Sequence, residues 1–132
     1  MKRLSICWII GCLLELVACR PEVPTQAEQG ETDVFPDYRE VTVPVNMAPP
    51  NFKLVDQQLQ GITRLKTMNR ELIIAADQGV FNLPETDWKV LSQDAQGKQI
   101  DVTVYFREPQ SDWKQMSFPI YVSRDSVDAY LV

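Results

Sequence analysis

With 132 residues, a net charge of −5 at neutral pH and no histidine, the chain has room for one hydrophobic core and excludes several kinds of chemistry. Lacking imidazole, it has no Ser-His-Asp or Cys-His catalytic set and no ligand set for structural zinc. Beyond Lys2, Arg3 and Arg20 its basic residues lie singly from Arg39 to Arg124, without the clustered Lys and Arg that a phosphate backbone requires, so nucleic acid is not an expected partner.

The first stretch with a defined chemistry is Leu16-Val17-Ala18-Cys19. It follows Lys2-Arg3 and an apolar run containing Ile6, Trp8, Ile9, Ile10, Leu13 and Leu14. The run is about 15 residues where a spanning helix needs about 20, too short for a retained anchor. Small residues just before a cysteine predict a lipoprotein signal peptide over 1–18, with Cys19 acylated on its thioether and its new amino group. The competing readings are an ordinary signal peptide and a retained helix, and Glu15 is out of place in any of the three. Cys7 and Cys12 would leave with the leader, so no thiol is left for a disulfide in an oxidising compartment. The remaining chain of about 114 residues carries a charge of roughly −6 and must stand on its core alone.

Residues 19–34 are rich in Pro, Thr, Gln, Glu and Gly, with little to bury, and predict a flexible tether. Arg20 occupies the position after the cysteine, where an aspartate is the usual inner-membrane retention signal in Gram-negative lipoproteins. By that resemblance the expected home is the outer membrane, on its periplasmic face or at the cell surface.

A domain is expected over 35–132. Val41, Val43 and Val45 alternate with Thr42 and Pro44, predicting a strand that Pro44 confines to an edge or bulge. Two apolar runs, Ile62 to Met68 and Glu71 to Ala76, flank Asn69-Arg70 and predict a hairpin. Asp77-Gln78-Gly79 punctuates, and Val80-Phe81-Asn82-Leu83 predicts a short strand. Trp88, Leu91 and Ala95 then fall on one helical face, acids crowd the first turn, and Gly97 supplies a stop. Ile100, Val102, Val104 and Phe106 alternate with polar positions as a half-buried strand, and further strands are expected after the Pro109-Gln110-Ser111-Asp112 turn. The fold class is mainly β, an Ig-like β-sandwich of about seven short strands with one inserted helix.

Asp37-Tyr38-Arg39-Glu40-Val41-Thr42-Val43-Pro44, then Asn46-Met47-Ala48-Pro49 and Asn51-Phe52, resembles the opening of the amino-terminal domain of envelope lipoproteins that carry a TolB-like β-propeller. Leu83-Pro84, Trp88, Leu91, Trp113 and Asp125-x-Val127-Asp128-x-Tyr130-Leu131 resemble the rest of that domain. Pro50 stands where an aliphatic residue is usual, Ala129 where proline is usual, and the chain stops at Val132 where such relatives continue into the propeller. The resemblance implies a leading β-domain without its propeller and assigns no catalytic or ligand residues.

Four sets of side chains are candidates for function. Tyr105, Trp113 and Tyr121 share a sheet face if the strands pair in order, and aligned rings there would suit a glycan or a peptide; the competing reading is cover for the sheet or core. Tyr130, Leu131 and Val132 form an apolar end suited to docking on an envelope protein. Asp125 with Asp128, or Glu85 with Asp87, lack the loop spacing of a calcium site and are expected to be solvated or helix-capping. Asn46 to Phe52 reads either as a recognition loop or, with Met47 and Phe52 as core anchors and Asn51 bonding nearby backbone, as a crossover between sheets. No constellation specifies a reaction, a cofactor or a metal. The expected function is a non-catalytic binding or assembly module held at the membrane by Cys19, with a glycan-binding module second and a small hydrolase last.

Overall fold

The computed structural model describes residues 20–127, which form a mainly β structure of two sheets and one short helix. The predicted sites at Cys19, Asp128, Tyr130, Leu131 and Val132 lie outside the described residues. The strands are β1 (Glu28–Gln29), β2 (Val34–Phe35), β3 (Thr42–Val43), β4 (Phe52–Leu54), β5 (Gln60–Lys66), β6 (Glu71–Ala75), β7 (Val80–Phe81), β8 (Gln99–Arg107) and β9 (Lys114–Val122), and helix α1 (Glu85–Asp94) lies between β7 and β8.

The larger sheet has an antiparallel β6-β5-β8-β9 core, in which β7 and α1 form the connection between the two hairpins, and its outer edge, along β9, is lined by two short parallel strands. Strand β1 pairs at Lys114 and Gln115, and β3 at Tyr121 and Val122. The smaller sheet runs β2-β4-β7. Alternation in β8 and β9 sends Ile100, Val102, Val104, Phe106, Met116, Phe118, Ile120 and Val122 to the interior. Val102 lies between Leu65 and Phe118, and Val104 between Thr63 and Met116. Phe52, Leu54 and Phe81 of the smaller sheet face them, and Trp88 and Leu91 of α1, with Ala95 just past its end, close the core. Phe52 and Phe81 are cross-strand partners with ring centroids 4.8 Å apart.

Pro44 does limit β3 to two residues at an edge, and the prolines that follow carry the chain from the larger sheet to the smaller one. The hairpin of β5 and β6 forms as predicted, but its tip is Met68-Asn69: the Thr67 backbone N–H donates to the Arg70 carbonyl at 2.9 Å, and Asn69 does not adopt a positive φ. The predicted strand after Gly79 exists as β7, paired with β4 rather than with the hairpin.

The described part of the predicted tether is built into the fold. The Glu28 N–H donates to the Trp113 carbonyl at 3.1 Å and the Gly30 N–H to the Gln115 carbonyl at 3.0 Å, while the Gln115 side-chain amide donates to the Ala27 carbonyl at 3.2 Å. Arg20 lies beside Leu72 and Ile73 on the opposite edge strand. From there to β1 the chain must pass four inter-strand spacings, about 19 Å, within the reach of eight residues. The path from the β6 edge to Ala27, held by the outward Gln115 side chain, lies over the outer face of the larger sheet, where Tyr105 and Thr103 of β8 are only 5% and 8% exposed. A chain that begins at residue 31 should therefore unfold at a lower urea midpoint than one beginning at residue 20, by about 1–3 kcal/mol for the uncovered ring and lost pairing. A free tether in this position would leave the midpoint unchanged.

Candidate functional site

A groove of about 430 Å³ lies between residues 45–49 and one face of α1, within the size range of small-ligand and peptide sites. Its helical wall is Glu85, Trp88, Lys89, Ser92 and Gln93, the i, i+3, i+4, i+7, i+8 set that shares one face. The opposite wall is Val45 to Pro49.

Each polar residue of the 46–51 run fixes part of this wall. The indole N–H of Trp88 donates to the Met47 carbonyl at 2.9 Å, tying the loop to the helix. Asn51 accepts from the Leu83 backbone N–H at 2.8 Å, setting the segment that enters α1. The Asn46 amide makes a reciprocal pair with Val127, donating to its carbonyl at 2.8 Å and accepting from its N–H at 2.9 Å. Met47 is half-buried against the core and Phe52 is buried, so the run is the predicted crossover between sheets and, at the same time, one wall of a groove. Val127, the last described residue, is held at the end of that wall.

The groove combines an apolar lining from Val45, Met47, Ala48, Pro49 and Trp88 with the amides of Asn46 and Gln93 and the charges of Glu85 and Lys89. Ser92 is buried and its hydroxyl donates to the Lys89 carbonyl at 3.1 Å, which commits it to the helix backbone. Glu85 lines this groove, whereas Asp87 lines a different concavity with Arg20, so the two acids do not act as a pair. Among the described residues no three His, Cys, Asp or Glu side chains gather as a metal site. Asp125 has its backbone N–H capped by the Ser123 hydroxyl at 3.1 Å.

The three aromatic candidates do not form a platform. They share the outward parity of the larger sheet, as expected, but Tyr105 is paired with Gln115, and Tyr121 is paired with Gln99. Those positions are six residues apart on β9, about 20 Å. Tyr105 is covered by the crossing segment, while Tyr121 is 40% exposed. Trp113 precedes β9 and is stacked under the Arg107 guanidinium, 4.3 Å from its ring centroid, a cation–π contact that occupies that face.

A second polar cluster lies at the far end of α1. The Asp94 carboxylate accepts from the Thr67 hydroxyl, from the Asn69 side-chain amide at 3.0 Å and from the Asn69 backbone N–H at 3.3 Å. These bonds pin the β5–β6 hairpin tip to the helix, and they place a carboxylate at a helix C-terminus where the dipole disfavours it. The Asn69 side chain, then the Thr67 hydroxyl, hold the Asp94 carboxyl below the usual carboxylate range. A depressed carboxyl stabilises the fold above its unfolded pKa near 3.9 and loses that contribution as pH falls through the folded value. Asp94→Ala should therefore lower the urea midpoint at pH 7, with the gap to the parent closing as the pH is taken below about 4. Composition hid this clamp, because Asp94 and Asn69 are 25 residues apart and each looks like an ordinary surface residue.

Comparison of the chain with protein-family models, with curated proteins and with solved structures finds no match.

Proposed function

We propose that this chain is a lipid-anchored, non-catalytic binding or assembly module of the cell envelope, at the outer membrane, which engages an envelope protein through the groove between residues 45–49 and α1. The anchor rests on Leu16-Val17-Ala18-Cys19. The observation that carries the binding role is the groove itself, lined by Val45, Met47, Ala48, Pro49 and Trp88 together with amide and charged side chains, and whose one hydroxyl, on Ser92, is already committed to backbone. Such a surface suits an extended or helical segment of another protein, recognised by apolar side chains with polar groups setting register. The reciprocal Asn46–Val127 pair brings the start of the apolar C-terminal end to the same wall, so Tyr130, Leu131 and Val132 would add to that contact. The resemblance to the leading domain of TolB-like propeller lipoproteins supports the same reading, since that domain is also a β-module carried on an envelope lipoprotein.

The test is site-specific photo-crosslinking in intact cells. A photoreactive residue at Ala48 or Gln93, both exposed at the groove, should trap one discrete envelope protein. The same residue at Gln57 or Glu108, both exposed elsewhere, should not. Deleting residues 130–132 should weaken the product without unfolding the domain. Identical products at groove and control positions, or none at either, would count against the binding role.

A further inference from the structure

Residues 20–30 lie on the domain rather than hanging free of it, and this constrains how an anchored molecule sits. Arg20 shares a concavity of about 370 Å³ with Glu71, Leu72 and Ile73 of β6 and with Asp87 of the first turn of α1. The chain then crosses the sheet to the far edge, where β1 pairs with β9. The Cα of residue 19 is one peptide unit, about 3.8 Å, from that of Arg20. An acylated cysteine sits at the level of the lipid headgroups.

We infer that the membrane-facing side of the domain is the β6 edge together with the first turn of α1. This rests on acylation of Cys19, the reading proposed above, and adds to it an orientation that a flexible tether would not impose. The bilayer surface is then within about a nanometre of Ile73 and Asp87, by the length of one extended residue and its side chain. Residues at the opposite end of the larger sheet, such as Gln57 and Glu108, point away from it.

The orientation also gives the exposed edge of the larger sheet a cover. Thr67 bonds Arg70 and Ala76 bonds Gly61 across the hairpin. The alternation of an antiparallel ladder therefore turns the backbone groups of Glu71, Ile73 and Ala75 outward from β6. An open strand edge of that kind invites pairing with another chain. With the lipid attached one residue from Arg20, the headgroup layer occupies the space from which a second strand would approach.

The test uses the acylated full chain purified from membranes and placed in phosphatidylcholine vesicles containing nitroxide-headgroup lipid. The chain after the leader has no thiol other than Cys19, so Asp87→Cys, Gln57→Cys and Glu108→Cys each give one labelling site. All three positions are exposed, and thermal melts check that each variant folds as the parent does. Headgroup quenching of a fluorophore at position 87 should exceed that at 57 and 108 at least threefold. Inserting ten Gly/Ser residues between Cys19 and Arg20 should make the three positions equal. Intact mass separates the two claims. Acyl mass present with equal quenching in the parent chain overturns the orientation alone, whereas absence of acyl mass overturns the anchor and the orientation with it.

Discussion

Replacement of Trp88 by alanine is expected to destabilise the domain by about 3–5 kcal/mol, the usual range for a fully buried large aromatic. Trp88 is 1% exposed, and it joins three parts of the molecule. Its ring closes the core beneath α1, its N–H holds the Met47 carbonyl, and it lines the groove. For a domain near 110 residues that loss lowers the melting temperature by roughly 12–25 °C. Trp88→Phe separates the roles: it keeps most of the apolar surface and removes the donor, so it should cost only about 1–2 kcal/mol. Urea titrations of both variants check the pair. A Trp88→Ala cost below about 1 kcal/mol would mean that the indole is not the bolt between loop and helix.

The second large effect is expected at Gly61. It lies on β5 opposite Phe106, on the interior side, facing Leu54 and Phe81 of the smaller sheet. A Cβ there would sit 2.8 Å from Leu54 Cδ1 and 2.8 Å from Phe81 Cζ, and both of those side chains are fully buried with no free space to retreat into. Overpacking of this kind costs about 1–3 kcal/mol for Gly61→Ala and more for Gly61→Val. The ring of Phe81 is the obstacle, so Phe81→Leu should be less harmful in the Gly61→Ala background than in the parent. A double-mutant cycle should return a coupling of about 0.5–2 kcal/mol; additive effects would show that the sheets are not in contact there.

Local pattern made much of this fold legible. The period of two in Ile100, Val102, Val104 and Phe106 identifies the central strand and its interior face, because each of those residues has to be removed from water. The spacing of Trp88, Leu91 and Ala95 identifies the helix for the same reason, although it ends at Asp94 with Ala95 as its cap, and Gly97, at φ 72°, turns the chain toward β8. Asn46 to Phe52 was legible as a crossover because prolines between apolar anchors leave few other conformations.

What pattern could not convey was the second face of β8. Strand β1 is two exposed polar residues held by backbone hydrogen bonds to β9, and such bonds leave no trace in side-chain chemistry. Composition therefore assigned Glu28 and Gln29 to a tether, and the cover over Tyr105 went with them. The aromatic platform failed by distance rather than by parity: Tyr105, Trp113 and Tyr121 share a face, but alternation carries no information about the 20 Å or so along β9 that separates the first from the last. The hairpin tip moved by one residue because Asp94, from a distant helix, bonds Asn69 and Thr67.

The groove was legible only in halves. Its loop wall was visible as a rigid run and its helical wall as an amphipathic turn, yet nothing in either stretch announces that one Trp N–H brings them together. The same holds for Asn46 and Val127, which are 81 residues apart and meet through the Asn46 side-chain amide and the Val127 backbone.

The central claim is that Cys19 is an acylated membrane anchor for this β-domain, and the intact mass of the chain extracted from membranes of expressing cells tests it most directly. The expected mass is that of residues 19–132 plus a thioether-linked diacylglycerol and one amide-linked acyl chain, and Cys19→Ala should abolish both the added mass and the membrane association. A chain of unmodified mass, or one that stays with the membrane after Cys19→Ala, would contradict the account.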